Sequence, residues 1–314
     1  MNAAAASLHV TTSAVSQQIA KLESELGQSL LEPSGRSVRL TDAAGVLVEH
    51  TRQILSVMER AEAEFDAQRN NIFGQITVAA FPTAARGLAP LALQALTRSF
   101  PQLKVELTEQ DPPKSLPLLV RGDVDLVIAQ DWENAPITLP EGLSKLALFD
   151  DIADVAMHAS HRLANRDIVD LDDIRSDQWI AGGQTGSILG DTHIPGRWCD
   201  QWLVYTLRSR GHEPVIAHTA SEYATQLALV AANLGVCVIP RLGRGPLPRG
   251  VRIVAVRPTI RRHIYALWRS ANTSRRAMGA TVEAFRTASS MIARMLPADR
   301  EQGFKKRTPN RRDV

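Results

Sequence analysis

After Gly45 the chain runs as far as residue 72 without a glycine or a proline, and this stretch limits the architecture more than any other. Thr41 is placed to cap its start, so the stretch predicts one continuous helix over residues 42–72. Within it Leu47, Thr51, Ile54, Met58, Ala61 and Phe65 alternate spacings of four and three, which makes a heptad seam. From Ala43 to Asn70 such a helix extends roughly 42 Å, at about 1.5 Å per residue. Glu49, Arg52, Glu59, Arg60, Glu62 and Glu64 flank the seam. A helix this long needs a cover for its apolar stripe, either another part of its own chain or the same helix of a second copy.

Ahead of this helix, Ala3 to Leu8 is helix-prone and His9-Val10 makes a break. Thr11 can cap a helix running from Thr12 to Leu26, which stops at Gly27. Val15, Ile19, Leu22 and Leu26 share one face, which predicts that this face packs inward. The opposite face carries Ser13, Gln17, Ala20 and Ser24, with Ser16 and Lys21 on its flanks. Such short hydrogen-bonding side chains fit a DNA major groove: Gln pairs with adenine through two bonds, Ser and Thr take base edges or phosphate, and Lys favours phosphate. Thr11, Thr12 and Ser13 lie at the helix N-terminus, the end that usually meets base edges. A merely solvated polar face reads the same way, so the helix alone does not decide. Next come Leu30 to Pro33 and Ser37 to Leu40, two strand-like runs around Ser34-Gly35-Arg36. They predict a β-hairpin wing with Arg36 at its tip and Arg39 on its second strand, both within reach of phosphate.

Beyond residue 74 short β-rich runs alternate with helical ones. Gln75–Phe81 reads as a strand, Ala84–Phe100 as a helix, Leu103–Thr108 as a strand, Pro113–Arg121 as a helix and Asp125–Ala129 as a buried strand. This β-α-β-α-β order predicts a doubly wound lobe that binds ligands at the carboxyl ends of its strands.

Composition narrows the function. At 314 residues, 44% hydrophobic and 22% charged, the chain has the length for two domains and the apolar content for a real core. The formal charge of +3 does not by itself argue for nucleic acid. Residues 297–314 hold six basic and three acidic side chains, a difference of +3, so the body before this tail is neutral and any DNA contact must be local. The tail itself reads as disordered. The two cysteines, Cys199 and Cys237, lack metal-site spacing, and a reducing cytoplasm is the simpler setting. Neither a secretory signal nor a transmembrane span is evident. No nucleophile elbow and no phosphate-binding P-loop occurs, and His158 and His161 near Asp154 read as loop residues at a strand end; no enzyme, metal or cofactor is expected.

The run LHVTTSAVSQQIAKLESELGQSLLEPSGRSVRLTDAAG, residues 8–45, resembles the winged helix-turn-helix of the bacterial LysR-type transcriptional regulators. Further matches follow at RGDVDLVIAQ, VDLDDIRSDQWIAGG, ALVAANLGVCVIPRL and RPTIRRHIYALWR. The resemblance implies a DNA-binding domain at 1–41, a linker and dimerisation helix at 42–72 and an effector domain at 74–296, before the tail at 297–314. It implies a type 2 periplasmic-binding-protein fold, with lobe I at 74–152 and 243–296 and lobe II at 153–242. Thr83, Gln130, Thr185 and Ser221 are then expected at the cleft; singly, each reads equally well as a cap, strand end or turn residue. Thr83, at a helix N-terminus, is the expected seat for a carboxylate. The implied partners are double-stranded DNA, a small-molecule effector, further copies in a dimer or tetramer, and RNA polymerase, with no membrane.

Two features depart from the family pattern. The family has a first helix and most of a second before the matching run, whereas this chain starts within the second. Either the true start lies upstream or DNA binding is impaired, and the alternative is a sensor-only protein that binds ligand and oligomerises. Pro33 stands where a basic residue is usual. A solute-binding protein for transport is disfavoured by the fused head.

Overall fold

The computed structural model describes residues 2–8, 10–34, 37–68, 72–182 and 198–296, in two compact units that divide at residues 65 and 66.

The first unit contains α1 (Asn2–Ser7), α2 (Thr12–Leu26), the hairpin β1 (Leu31–Ser34) and β2 (Ser37–Leu40), and the start of α3 (Asp42–Gln68). Thr11 caps α2 by accepting from Ala14 N at 3.2 Å, and Gly27 ends it in the left-handed region at φ 65°, a conformation glycine adopts without a Cβ clash. Thr41 caps α3 by accepting from Ala44 N at 3.2 Å, and its own hydroxyl donates to Ser29 O at 2.8 Å. The expected inward face of α2 is only partly buried: Val15 is buried and Ile19 half-buried, but Leu22 and Leu26 are 37% and 47% exposed. The reason is length. Helix α1 has 6 residues and α2 has 15, so α1 can cover only the N-terminal part of its neighbour.

The second unit is built on an eight-stranded sheet of order β4-β3-β5-β12-β6-β11-β7, with β10 also paired to β6. In chain order its elements begin with β3 (Gly74–Ala80), α4 (Pro82–Gly87), α5 (Ala89–Ser99), β4 (Leu103–Glu109), α6 (Pro112–Arg121) and β5 (Leu126–Trp132). Strand β3 lies parallel between β4 and β5, as a doubly wound lobe requires. The helix expected over 84–100 is interrupted at Leu88, because Pro90 in the first turn of α5 cannot donate a helical hydrogen bond. One apolar layer packs Phe81, Leu88, Leu96, Met278 and Phe285 beneath this sheet, and a second packs Leu116, Leu119, Val127 and Tyr265.

The chain then leaves this lobe along β6 (Leu143–His158), a 16-residue strand whose first part pairs with β12 and whose last part pairs with β10 and β11. The second lobe holds β7 (Ile168–Asp170), β8 (Gln178–Ala181), α7 (Trp198–Arg208), β9 (Val215–Thr219), α8 (Tyr223–Ala231), β10 (Cys237–Pro240) and β11 (Val251–Arg257). The chain returns along β12 (Ile260–Arg269) and closes with α9 (Arg276–Met295). The lobe boundary expected at residue 243 needs correction. Val254 and Val256 of β11 pack in the core of Trp179 and Trp202, and β11 pairs with β7, so the return to the first lobe follows β11. The physical reason is pairing: β11 completes the second lobe's sheet edge before β12 crosses back. The expected tail at 297–314 lies outside the described residues.

Candidate DNA-reading face and effector cleft

On α2 the side chains of Ser13, Gln17, Lys21 and Ser24 are all exposed and spaced to share one face, opposite buried Val15. Thr11 Oγ lies 3.0 Å from Ser13 Oγ besides capping the helix. Thr12 departs from the expected face: it is exposed, but its hydroxyl donates to Asn2 Oδ1 at 3.2 Å, tying α2 to α1. Ser16, on the flank, donates to the Thr12 carbonyl at 3.0 Å.

Both described cations of this surface have carboxylate partners. Lys21 Nζ is 3.8 Å from Glu25, one turn along, and Arg39 Nε is 2.8 Å from Glu32, its cross-strand neighbour in the wing. Such exposed pairs are weak, about 0–1 kcal/mol, so phosphate can displace the carboxylates. Arg36 lies outside the described residues.

Glu23 was not singled out from sequence. Its Oε1 accepts from Leu30 N at 2.7 Å, Leu31 N at 3.2 Å and Ser29 Oγ at 3.2 Å, which pins the entry of the wing to α2. These backbone donors hold its carboxyl below the usual range. The sequence signal was an acid on the helix flank beside the inward apolar row, and it did not say which backbone groups the acid would meet.

Along α3, Leu47 is half-buried whereas Ile54 and Met58 are 61% and 55% exposed, beside exposed Leu55 and Val57. Ala61 and Phe65 belong to the same helix, but their side chains lie outside the described residues.

In the second unit the structure joins two of the four expected cleft residues through a third side chain, Arg262. It lies on β12, opposite Trp132 of β5 and Asp151 of β6, and is fully buried. Its Nε and Nη2 donate to Asp151 Oδ2 at 2.9 and 2.7 Å, Nη2 also donates to Thr83 Oγ1 at 2.8 Å, and Nη1 donates to Gln130 Oε1. The rings of Phe81 and Trp132 flank it, with centroids 5.2 and 5.8 Å away. Asp151 also accepts from Leu242 N at 3.0 Å. Close by in sequence, Asp154 accepts from Arg241 at 2.9 and 2.7 Å and from Arg244 at 2.8 Å.

This arrangement corrects two expectations. Thr83 does not present a vacant helix N-terminus to a carboxylate: α4 is short, and the Thr83 hydroxyl accepts from a guanidinium. Gln130 does not end its strand, because pairing with β12 carries β5 on to Trp132. Ser221 is exposed, and the cap position of α8 falls to Glu222, one residue later. Thr185 lies outside the described residues.

A small cleft, partly open to solvent, adjoins Trp132. It is lined by Trp132, Trp202, Leu203 and Val238, by Ile180, Ala181 and Gly182 at the end of β8, and by Tyr223 and Gln226 of α8. Of the expected residues that are described, Thr83, Gln130 and Ser221 are not among those lining it, but Trp132 follows Gln130 by two residues, and Tyr223 follows Ser221 by two. The aromatic residues Trp132, Trp202 and Tyr223 read in sequence as core. Arg262 was missed because an arginine in a strand gives no sign of burial until its carboxylate partner, 111 residues away, is placed.

Among the described residues, no group of three or more His, Cys, Asp or Glu is placed to hold a metal, and no helix is long and apolar enough to cross a membrane. Cys237 is buried, and burial pushes its thiol up, away from the thiolate that reactive cysteines need.

The family described as LysR substrate binding domain matches residues 69–290, and the bacterial regulatory helix-turn-helix proteins of the lysR family match residues 1–45. The chain is 28% identical over 286 residues to the DNA-binding transcriptional dual regulator OxyR of Escherichia coli K12, covering 90% of this chain and 88% of that one. Among solved structures it is similar to a full-length OxyR variant from Pseudomonas aeruginosa, with TM-score 0.64, 23% identity and coverage of 91% and 89%. It is also similar to full-length CbnR complexed with target DNA, with TM-score 0.55, 22% identity and coverage of 91% and 93%.

Proposed function

This chain belongs to the LysR family of bacterial regulators, and we propose from that premise how its own residues divide the work of a DNA-binding transcription factor that answers to a small-molecule effector. The single observation that carries the DNA assignment is the exposed face of α2, where Ser13, Gln17 and Lys21 stand opposite buried Val15. Gln17 and Ser13 read base edges, Thr11 and Lys21 take phosphate, and Arg39, with Arg36, takes phosphate from the wing. Thr12 and Ser16 support α2 from within, given their bonds to Asn2 and to the helix backbone.

The exposed apolar residues of α3 bury against a second copy, with Leu47, Ile54 and Met58 in the seam, continued by Ala61 and Phe65. Pairing places two reading helices on two half-sites and multiplies the affinity of each. Effector binding beside Trp132 and Tyr223 shifts the equilibrium between two arrangements of the lobes, and so the fit of the paired heads on DNA. Thr83 and Gln130 act there through Arg262, as groups that position it. The protein works in the cytoplasm, where its DNA lies, and performs no catalysis.

The test is salt-dependent binding of the full chain to its own promoter region and to random DNA of equal length. Tighter binding to the promoter, reduced by Gln17→Ala, is the expected result. Equal binding to both DNAs would overturn the reading.

A further inference from the structure

We propose that the two lobes of the effector domain are joined by one fixed pivot, at Leu242 and Gly243, and one releasable clasp, between Trp132 and α7; this rests on the reading above that the lobes exchange between two arrangements, and it names the contact that opens. Beyond the crossover strands β6 and β12, each lobe sends a short segment into the other. From the first lobe, Trp132 at the end of β5 packs in the core that holds Trp179, Leu203 and Val254. Its ring stacks on Trp202 of α7, with centroids 4.3 Å apart and planes 24° from parallel. Two residues on, Asn134 Nδ2 donates to Thr206 Oγ1 at 2.6 Å, one turn further along α7. In return, the segment after β10 of the second lobe buries Leu242 in the core of Phe81, Leu88 and Met278.

The two insertions differ in what holds them. The pivot is held through backbone. Arg241 N donates to Ile152 O at 2.8 Å, Leu242 N donates to buried Asp151 at 3.0 Å, and Arg86 Nε donates to Gly243 O at 2.6 Å. The main chains of Gly243 and α4 also meet without slack: a Cβ on Gly87 would come within 2.6 Å of Gly243 N. Parting them would strand buried donors and acceptors, Asp151 foremost, which also holds Arg262.

Among the described residues, Trp132 and Asn134 reach α7 through side chains alone. Asn134 is exposed, so water replaces its bond to Thr206 when the two part. The stacked rings leave no polar group unpaired when they separate. Trp132 itself stays in the sheet, opposite Arg262 of β12, and Glu133 N donates to Arg261 O at 3.2 Å. Opening therefore withdraws α7 with the second lobe, turning about Leu242 and Gly243, while β5 keeps its place.

The experiment is fluorine NMR relaxation dispersion on the full-length protein carrying 5-fluorotryptophan, with resonances assigned by single Trp→Phe changes. The expected result is exchange between two states at Trp132 and Trp202, with Trp268, which packs on the first lobe's core, in one state. Thr206→Val should raise the minor population roughly fivefold, as loss of one net hydrogen bond implies. Asn134→Ala removes the same bond from the other side and serves should the first variant fail to fold. A single state at Trp132 and Trp202 in the parent and the variant overturns the proposal. So does exchange shared by Trp268, or a minor population that the variant leaves unchanged. No effector is added, so failure here leaves the effector reading to ligand titration, and the DNA reading stands or falls on its promoter test.

Discussion

Arg262 donates to Asp151 from both Nε and Nη2, at 2.9 and 2.7 Å, and neither side chain reaches solvent. Each charge depends on the other, because a buried ion without its partner carries the full cost of lost hydration. Arg262→Leu or Asp151→Asn should therefore lower the stability of the effector domain by about 3–5 kcal/mol. Replacing both with leucine should recover most of that loss. Urea denaturation of the four proteins checks this, and additive losses in the double variant would show that the pair is not coupled.

The described cations of the surface proposed to meet DNA start out paired, Lys21 with Glu25 and Arg39 with Glu32. Phosphate must compete with these carboxylates. Glu32→Ala should raise affinity for all DNA sequences alike, since it frees a cation for the backbone. Lys21→Ala should lower affinity uniformly and reduce the slope of log affinity against log salt by about 1. Gln17→Ala should instead cost about 1–3 kcal/mol on the operator and little on random DNA. Salt titrations on both DNAs separate the three cases.

Glu23 joins the reading helix to the wing, and its titration should be visible in the stability of the head. Backbone N–H groups of Leu30 and Leu31 lower its pKa from the ordinary 4.5. A carboxyl whose folded pKa is depressed contributes stability above its unfolded value and loses it as pH falls through the folded one. The Glu23 contribution should thus be complete above pH 4.5 and fade below it. Glu23→Gln should melt lower at neutral pH and show a flatter acid dependence. Circular-dichroism melts across the acid range decide it; identical acid limbs in the two proteins would remove the carboxylate from the explanation.

Gly243 sits at φ 64°, and a Cβ there would lie 2.4 Å from the Thr83 carbonyl oxygen, whereas a Cβ on Gly245 would meet nothing within 4 Å. Gly243→Ala should therefore cost at least about 1–3 kcal/mol through strain and the forced shift at Thr83. Gly245→Ala should stay within about 0.5 kcal/mol of the parent. Both read out by urea denaturation, and equal losses would mean that the close approach at Gly243 is not what matters.

Much of the architecture was legible because it follows from local rules. Thr11, Gly27 and Thr41 mark helix ends through hydrogen bonds with near neighbours, and β3, β4 and β5 lie close to where their β-rich runs predict them. The misreadings share a different origin. Strand β11 joined the second lobe through pairing with β7, and β5 reached Trp132 through pairing with β12; neither partnership is written in the strand concerned. Leu22 and Leu26 carry an inward pattern without an element long enough to cover them.

The chain's own order of residues determined the reading helix, the wing, the long α3 and the alternation of the effector domain, because periodicity, capping and turn residues act within a few positions of one another. Tertiary structure alone decided the chemistry of the cleft. Thr83, Gln130, Asp151 and Arg262 come from four separate elements, and only the sheet order brings the guanidinium against its carboxylate and near the ring of Trp132, which in turn stacks on Trp202. Burial then turns an ordinary surface residue type into a neutralised internal cation.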